Sequence, residues 1–316
     1  MLPSFDCPQA LVEHLGSSAL CVAIGFFDGM HIGHQEVIRN CLGLAKRKNA
    51  NAAVVTFRDH PLQTVAPDKA PDLVHDVEAR LAAFEQLGLK AALFLPFDAS
   101  FRTKSAHEFF DYLRLGLDPL IGFSIGSGFG FGRGRTGNSS LLKALGSPYN
   151  IETQVAKEIN LDGLPVSSTR IRTAIRKGEF KTAGKMLGRP YQYSETVIEG
   201  DKRGRGLGFP TANLPVNDRV YPENGVYMAW AYSDNHRYPA AVNIGVRPTL
   251  KDEPRVPVME VHLLDFNEDL YGKRLDVEFV MRIRPETRFD SLDALKEQVQ
   301  KDVAFTRDKL VEAAFS

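Results

Sequence analysis

Short apolar runs alternate with segments of helical period through the first half of the chain. The runs are LCVAIGFF from Leu20, AAVVTF from Ala52, AALFLPF from Ala91 and LIGFSIG from Leu120. This alternation predicts βα units that build a parallel sheet with helices on its faces. Ligands of such sheets sit at the carboxyl ends of the strands, so the loops after Phe26, Phe57, Phe97 and Ile125 are expected to converge on one crevice. A strand pair near residues 150–166 and two short helices, 169–177 and 179–187, are expected next. The segment GRPYQYSE that follows is rich in turn and polar residues and reads as a junction, dividing the chain into domains 1–187 and 188–316.

Beyond the junction the pattern changes to short β-like runs without intervening helices: YSETVIEG, GVYMAWAYSD, YPAAVNIG, PVMEVHLLDF and RLDVEFVMRI. Such a series suggests a closed antiparallel barrel. From Ser291, SLDALKEQVQKDVAFTRDKLVEA places apolar residues at helical spacing and predicts a helix packed on that barrel.

A length of 316 residues is enough for two domains. Hydrophobic content of 43% with 25% charged residues is that of an ordinary globular protein, and argues against disorder and against membrane insertion. Lys plus Arg balance Asp plus Glu at 39 each, so no long-range field draws the chain to nucleic acid or an anionic membrane. Any anion must be held locally. Cys7, Cys21 and Cys41 have neither metal-ligand spacing nor an even count and read as reduced thiols, with Cys21 in the core. The N-terminal residues lack the basic and long apolar regions of a signal peptide, and the expected location is the cytoplasm.

Two constellations carry chemistry. The first is GFFDGMHIGHQ, residues 25–35, where a buried strand meets a helix. Its glycines let the backbone approach a ligand, and His31 and His34 lie near a helix N-terminus, where free N–H groups and the helix dipole favour phosphate. Fixed donors there suit nucleotidyl transfer, which places negative charge on the α-phosphate of ATP and on departing pyrophosphate. Two nearby histidines also serve to cap a helix or bind a metal. Downstream, VSSTRIR, residues 166–172, offers the Ser168 and Thr169 hydroxyls for capping or for phosphate, and Arg172 for the β and γ phosphates.

The second is EGDKRGRGLGFPTANL, residues 199–214, with Gly204, Gly206 and Gly208 ahead of Phe209, Pro210, Thr211 and Asn213. It is not a Walker phosphate loop. Thr211 and Asn213 put two oxygen ligands on the same side of an extended segment, a spacing suited to Mg²⁺ between ATP phosphates, although PTAN alone also reads as a turn. In MEVHLLDF, residues 259–266, Glu260 and His262 share one side of a strand. A carboxylate projecting from the barrel interior can take the proton of an alcohol attacking a γ-phosphate, while Glu260 alone also reads as a surface carboxylate.

GFFDGMHIGH, TFRDHP and SSTRIR together resemble the FAD synthetase module of the bacterial bifunctional riboflavin kinase/FAD synthetases, from Leu20 to about Leu187. GRGLGFPTAN, PENGVY, NIGVRPT, MEVHLLDF, DLYGKRL and RIRPE, in that order, resemble the riboflavin kinase domain of the same family. The resemblance implies a Rossmann-like α/β nucleotidyltransferase domain followed by a six-stranded β-barrel kinase domain with a C-terminal helix. It implies that riboflavin is phosphorylated to FMN by ATP, and that FMN is adenylylated to FAD with release of pyrophosphate. By it, Gly25, Phe26, Phe27, Asp28, His31, Gly33, His34, Ser168, Thr169 and Arg172 attend the nucleotide of the first domain. Gly204, Gly206, Gly208, Phe209 and Pro210 attend that of the second. Thr211 and Asn213 hold Mg²⁺, Glu260 is the base, and Phe129, Phe131 and Arg284 meet flavin. Small-molecule substrates are expected, with no nucleic acid or membrane partner and a monomer or weak oligomer.

One loop departs from the family pattern. GSGFGFGRGRTGN, residues 126–138, has Gly128 in place of a polar side chain, Gly130 in place of a larger residue and Asn138 where Asp is common. Weaker flavin binding is expected from it, unless backbone groups or Ser127 compensate. The departure motivates a second reading, a riboflavin kinase whose N-terminal domain senses nucleotide or flavin without adenylylating it. The HIGH tetrapeptide also occurs in class I aminoacyl-tRNA synthetases, but no KMSKS-like loop or basic surface signal accompanies it here.

Overall fold

Six strands pair in parallel through the first half of the chain: β1 (Ser4–Phe5), β2 (Leu20–Ile24), β3 (Asn51–Thr56), β4 (Ala91–Phe94), β5 (Leu120–Ile125) and β6 (Glu152–Val155). Their order is β1-β4-β3-β2-β5-β6. This is a computed structural model; it describes residues 1–16, 18–200, 208–234, 236–246 and 257–314. The chain forms two units, residues 1–168 and 169–316.

The unbroken apolar runs have a direct cause. Leu20, Val22 and Ile24 pack with Phe109, Phe110 and Leu113 on one face of the sheet, while Cys21 and Ala23 pack with Ile38, Cys41, Leu44 and Phe84 on the other. Strands covered on both faces cannot alternate. The covering helices are α1 (Pro8–Leu15), α2 (Ile32–Lys48), α4 (Val77–Leu87), α5 (Ala106–Gly116) and α6 (Ser139–Gly146), while the short α3 (Pro61–Val65) buries no residue. Strand order reverses at β2, so the crevice at its carboxyl end is the topological switch point. Ile24 is in register with Val55 of β3 and Ile125 of β5, which sends three of the expected loops out side by side. The strand pair expected near 150–166 divides: β6 joins the parallel sheet, and only β7 (Asn160–Leu161) and β8 (Leu164–Pro165) form a hairpin.

The second unit takes α7 (Ser168–Arg176) from Thr169 onward, then α8 (Phe180–Leu187), and continues with six antiparallel strands. These are β9 (Gln192–Thr196), β10 (Ala212–Pro215), β11 (Gly225–Ser233), β12 (His236–Val246), β13 (Pro257–Leu263) and β14 (Arg274–Pro285), in the order β10-β13-β12-β11-β14-β9. A bridge between Ile198 and Asn213 nearly closes the barrel. Helix α9 (Leu292–Ala314) follows, with the Ser291 hydroxyl accepting from the Ala294 N–H at 3.1 Å as its N-cap. Phe180 of α8 stacks on Phe279 of β14 at 5.2 Å, and Tyr227 and Tyr191 complete the aromatic cluster around that ring. Helix α8 is thereby fastened to the barrel.

Candidate active sites in the two units

The loop from β2 to α2 is tightly wound. Phe27 (φ 57°), Gly29 (φ 80°) and Met30 (φ 45°) all lie in the left-handed region, which is costly for the two larger residues. Burial holds them there, because Phe27 and Met30 are each 1% exposed. Gly25 lies against the Phe27 ring and Gly33 against the His31 ring. The Asp28 carboxylate accepts from the Val74 N–H at 2.9 Å and the His75 N–H at 3.1 Å, and the Ser168 hydroxyl donates to the Asp28 carbonyl at 2.9 Å. Asp28 and Ser168 therefore brace the loop that presents the histidines.

His31 and His34 stack at 3.6 Å with an interplanar angle of 18°. His31 also caps α2, its Nδ1 accepting from the His34 N–H at 3.2 Å. An accepting Nδ1 leaves the proton of the neutral ring on Nε2 as a donor. Burial pushes the His31 imidazole down to about 4 and holds His34 well below the usual histidine range, with the neighbouring histidines adding to the second effect. The pair is neutral at pH 7 and offers N–H donors rather than positive charge. The His34 Nδ1 is buried with no hydrogen-bond partner among the described residues. Capping and presentation of donors thus coexist in one motif. Arg172 and Thr169 lie on α7 in the second unit, the former buried.

The neighbouring loops carry aromatic groups. Phe26 meets the His60 ring edge-on at 4.8 Å, and Phe57 meets Phe97 at 5.4 Å. Phe129 is half-buried and stacks on Phe131 at 5.6 Å, while Phe131 is a core residue at 4% exposure. The glycines of this loop have a compensating partner that the sequence reading missed. Arg135 donates to the Gly128 carbonyl at 3.1 Å, and its guanidinium occupies the space where a side chain on Gly130 would start. Asn138 caps α6, accepting from the Leu141 N–H at 3.0 Å. Asn serves as well as Asp in that task.

In the barrel, Met259, Val261 and Leu263 are buried, while Val258, Glu260 and His262 are half-buried on the opposite face. Glu260 and His262 share a face as expected, but that face is the outside of the barrel. Alternation specifies which residues lie together, and the apolar set took the interior. Glu260 is in register with Asn213 of β10 on one side and with Asn243 of β12 on the other, so the three side chains form a polar row on the outer face. Asn243, within NIGVRPT, was not among the expected site residues; its signal was the same alternation. Asn213 is 5% exposed because the main chain at Gly200 lies against its carboxamide, where a Cβ would stand 2.3 Å from Nδ2 and 2.6 Å from Oδ1.

A cleft of about 310 Å³ is lined by Ala212, Val261 and Leu263, whose side chains take the opposite face of these strands from the row, together with Thr211, Asp269 and Tyr271, among others. The His262 Nδ1 lies 2.8 Å from the Pro210 carbonyl and its ring meets Phe209 edge-on at 5.5 Å, which fixes the entry to β10. Burial lowers the His262 pKa, opposed by that carbonyl. Gly204 and Gly206 lie outside the described residues, and Gly208 has φ 88°. The Arg284 guanidinium engages Asp302 of α9 through Nε and Nη2, with contacts of 2.8 to 3.2 Å, so it holds that helix to the barrel.

Comparison with known proteins accounts for both halves. A family model described as FAD synthetase matches residues 15–170, and one described as riboflavin kinase matches 187–310. A bifunctional riboflavin kinase/FMN adenylyltransferase from Bacillus subtilis (strain 168) is 37% identical, with 93% of each chain covered. The chain belongs to this bifunctional family. Proteins of the same name from Pseudomonas fluorescens and Escherichia coli (strain K12) are 38% and 34% identical over 93% and 91% of this chain, and over 93% and 92% of their own. A crystal structure of a macrolide-efflux protein from Streptococcus pneumoniae superposes with a TM-score of 0.84 at 30% identity, covering 96% of this chain and 98% of that one. That likeness is one of fold. Among the described residues no helix is long and apolar enough to cross a membrane.

The protein is thus an enzyme of flavin cofactor synthesis, combining a kinase and a nucleotidyltransferase. The reading of the N-terminal half as a sensor alone is not favoured, because the FAD synthetase match runs through the glycine-containing loop that motivated it.

Proposed function

We propose that the barrel transfers the γ-phosphate of ATP to the ribityl 5′-hydroxyl of riboflavin, and that the parallel-sheet unit then joins AMP from a second ATP to the resulting FMN. The observation that carries the kinase assignment is the register row Asn213, Glu260 and Asn243. Glu260 accepts the proton of the attacking hydroxyl, and in such transfers the base mainly orients the nucleophile. The nucleotide lies along the segment that includes Gly204, Gly206, Gly208, Phe209 and Pro210. The Thr211 hydroxyl and the Asn213 carboxamide oxygen are hard donors and fit Mg²⁺, and Gly200 leaves the Asn213 oxygen the close space such a site requires. When bound, the ion would neutralise charge on the phosphates.

For adenylyl transfer, His31 and His34 act as neutral hydrogen-bond donors to charge developing on the α-phosphate and on pyrophosphate. Gly25, Phe26, Phe27, Asp28 and Gly33 shape that loop, Ser168 anchors it, and Thr169 and Arg172 attend the phosphates. For the flavins, Phe129 supplies an aromatic face with Phe131 stacked behind it, and Arg284 holds α9 beside the outer face of the barrel. The functional division is assigned to residues 187–188, and the kinase match over residues 187–310 supports it. The protein acts in the cytoplasm as a monomer or weak oligomer.

Product chromatography after incubation with riboflavin, ATP and Mg²⁺ tests the scheme. FMN followed by FAD is expected. Glu260→Ala should stop FMN formation and leave FAD synthesis from supplied FMN, and His31→Ala should do the reverse. Loss of both activities in either single variant sinks the two-site scheme.

A further inference from the structure

Arg80 on α4 is fully buried, at 0% exposure. Burying a cation is costly unless its hydrogen bonds are made. Here those of Nη1 and Nη2 go to main-chain carbonyls at the carboxyl end of the sheet, while Nε has no hydrogen-bond partner among the described residues. Nη1 donates to the Phe57 carbonyl at 2.8 Å and the Phe26 carbonyl at 3.3 Å, and Nη2 donates to the Arg58 carbonyl. The guanidinium carbon also stands 4.9 Å from the centroid of the Phe26 ring. Desolvation lowers its pKa, and the charges of Asp28, Asp59, Asp76 and Glu78 oppose that effect.

The acceptors belong to two different loops. Phe26 opens the segment that leads to His31, and Phe57 and Arg58 open the segment that leads to His60. These carbonyls lie just past the ends of β2 and β3, where buried acceptors need another donor. Thr56 adds a second bond to the Phe26 carbonyl, from Oγ1 at 3.1 Å. The helix is fastened in return, because the N–H groups of Val74 and His75, just before α4, donate to the Asp28 carboxylate. A carboxylate from the histidine loop and a guanidinium from the helix thus form a two-point clasp.

We propose that Arg80 is a positioning residue for adenylyl transfer, holding the loops of residues 25–31 and 57–60 in fixed relation so that the histidine donors meet the nucleotide. This rests on the assignment of the His31 loop to adenylylation. A guanidinium spans three carbonyls because its donors fan out in a plane, whereas an ammonium is a point charge. A methionine of similar length fills the space, removes the guanidinium donors from the Phe57 and Arg58 carbonyls and leaves the Phe26 carbonyl its bond from Thr56.

The experiment compares full-length wild-type protein with Arg80→Met, Arg80→Lys, Thr56→Val and His31→Ala. FMN adenylylation is measured as kcat and as KM for ATP and FMN, and riboflavin kinase activity is measured on the same samples. Arg80→Met should lower adenylylation kcat about 100-fold, the scale expected when reacting groups are misplaced by about 1 Å. The kinase rate should stay within about 2-fold of wild type, because its residues lie in the other unit. Arg80→Lys should recover part of the kcat, and Thr56→Val should lower it by a smaller factor. A purely structural role would reduce the amount of folded protein and leave kcat per folded molecule unchanged. Wild-type kcat in folded Arg80→Met overturns the proposal. If that variant does not fold, wild-type kcat in both Arg80→Lys and Thr56→Val overturns it. Full adenylylation in His31→Ala instead removes the assignment of the loop itself.

Discussion

Asn213 and Glu260 are register partners across β10 and β13, and both side chains leave the barrel on its outer face. The proposed metal ligand and the proposed base stand on adjacent strands and are held by the hydrogen-bond ladder itself, so their separation is set by the sheet. Glu260→Gln keeps the shape and removes the base. Riboflavin kinase kcat is expected to fall by about 10²-fold or more, with FMN adenylylation unchanged, in parallel steady-state assays. A kcat near wild type would remove Glu260 from the mechanism.

Gly200 offers a separate probe of the same site. A methyl group there would stand inside contact distance of the Asn213 carboxamide. Gly200→Ala should therefore displace that oxygen, raise the Mg²⁺ concentration needed for half-maximal kinase activity and leave the Mg²⁺ dependence of adenylylation unaltered. Titration of both activities with Mg²⁺ checks it.

The depressed histidine pKa values predict a pH dependence of stability. In the unfolded chain His31 titrates near its ordinary value, about 6.5. In the folded protein it stays neutral down to about 4. Between those values the unfolded state binds more protons, so stability is fully present above about 6.5 and falls as pH drops toward 4. The shift corresponds to roughly 3 kcal/mol. His31→Asn removes the titration and keeps a good helix cap. The protection of α2 amides against hydrogen exchange should lose less in this variant than in wild type between pH 7 and pH 5.

The pair of Arg284 and Asp302 is largely buried, with side-chain exposures of 18% and 5%. Removing the carboxylate leaves a guanidinium without its partner, at a cost of about 3 kcal/mol. Asp302→Ala should lower the thermal midpoint of the barrel unit, read from the fluorescence of Trp230, the single tryptophan. An unchanged midpoint would mean that this pair adds nothing to the hold on α9, which Arg307 also ties to Asp265.

A fragment beginning at Thr169 should melt higher than one beginning at Gly188. The shorter fragment loses Phe180 from its stack on Phe279 and exposes the rings around it. Differential scanning calorimetry of the two fragments tests this.

Much of this architecture was legible in the sequence because periodicity survives folding. The β2 and β5 runs were unbroken since each is covered on both faces, and the convergence of loops followed from parallel pairing. The side of the barrel chosen by Glu260 was not legible. A period of two groups Glu260 with His262, yet only the burial of Met259, Val261 and Leu263 tells which group points inward. Arg80 was missed for a related reason. One arginine in a helical pattern reads as a solvated charge, and its three carbonyl partners come from sequence positions that nothing local connects. Arg135 escaped notice because its partner at Gly128 is a main-chain carbonyl, which no side-chain motif records. The allegiance of α8 was hidden because the turn-rich segment lies after the helix, whereas the ring contacts lie across the barrel.

The closure of the barrel also bears on the order of events during synthesis. Strand β9 pairs with β14, and the bridge from Ile198 to Asn213 completes the circuit, so the kinase unit joins near-terminal segments of its own chain. The parallel sheet is complete by Val155. As the chain leaves the ribosome, the nucleotidyltransferase half can therefore assemble first, whereas the kinase half must wait for β14 to emerge. The activity that makes FMN is the last to mature, although it acts first on the flavin.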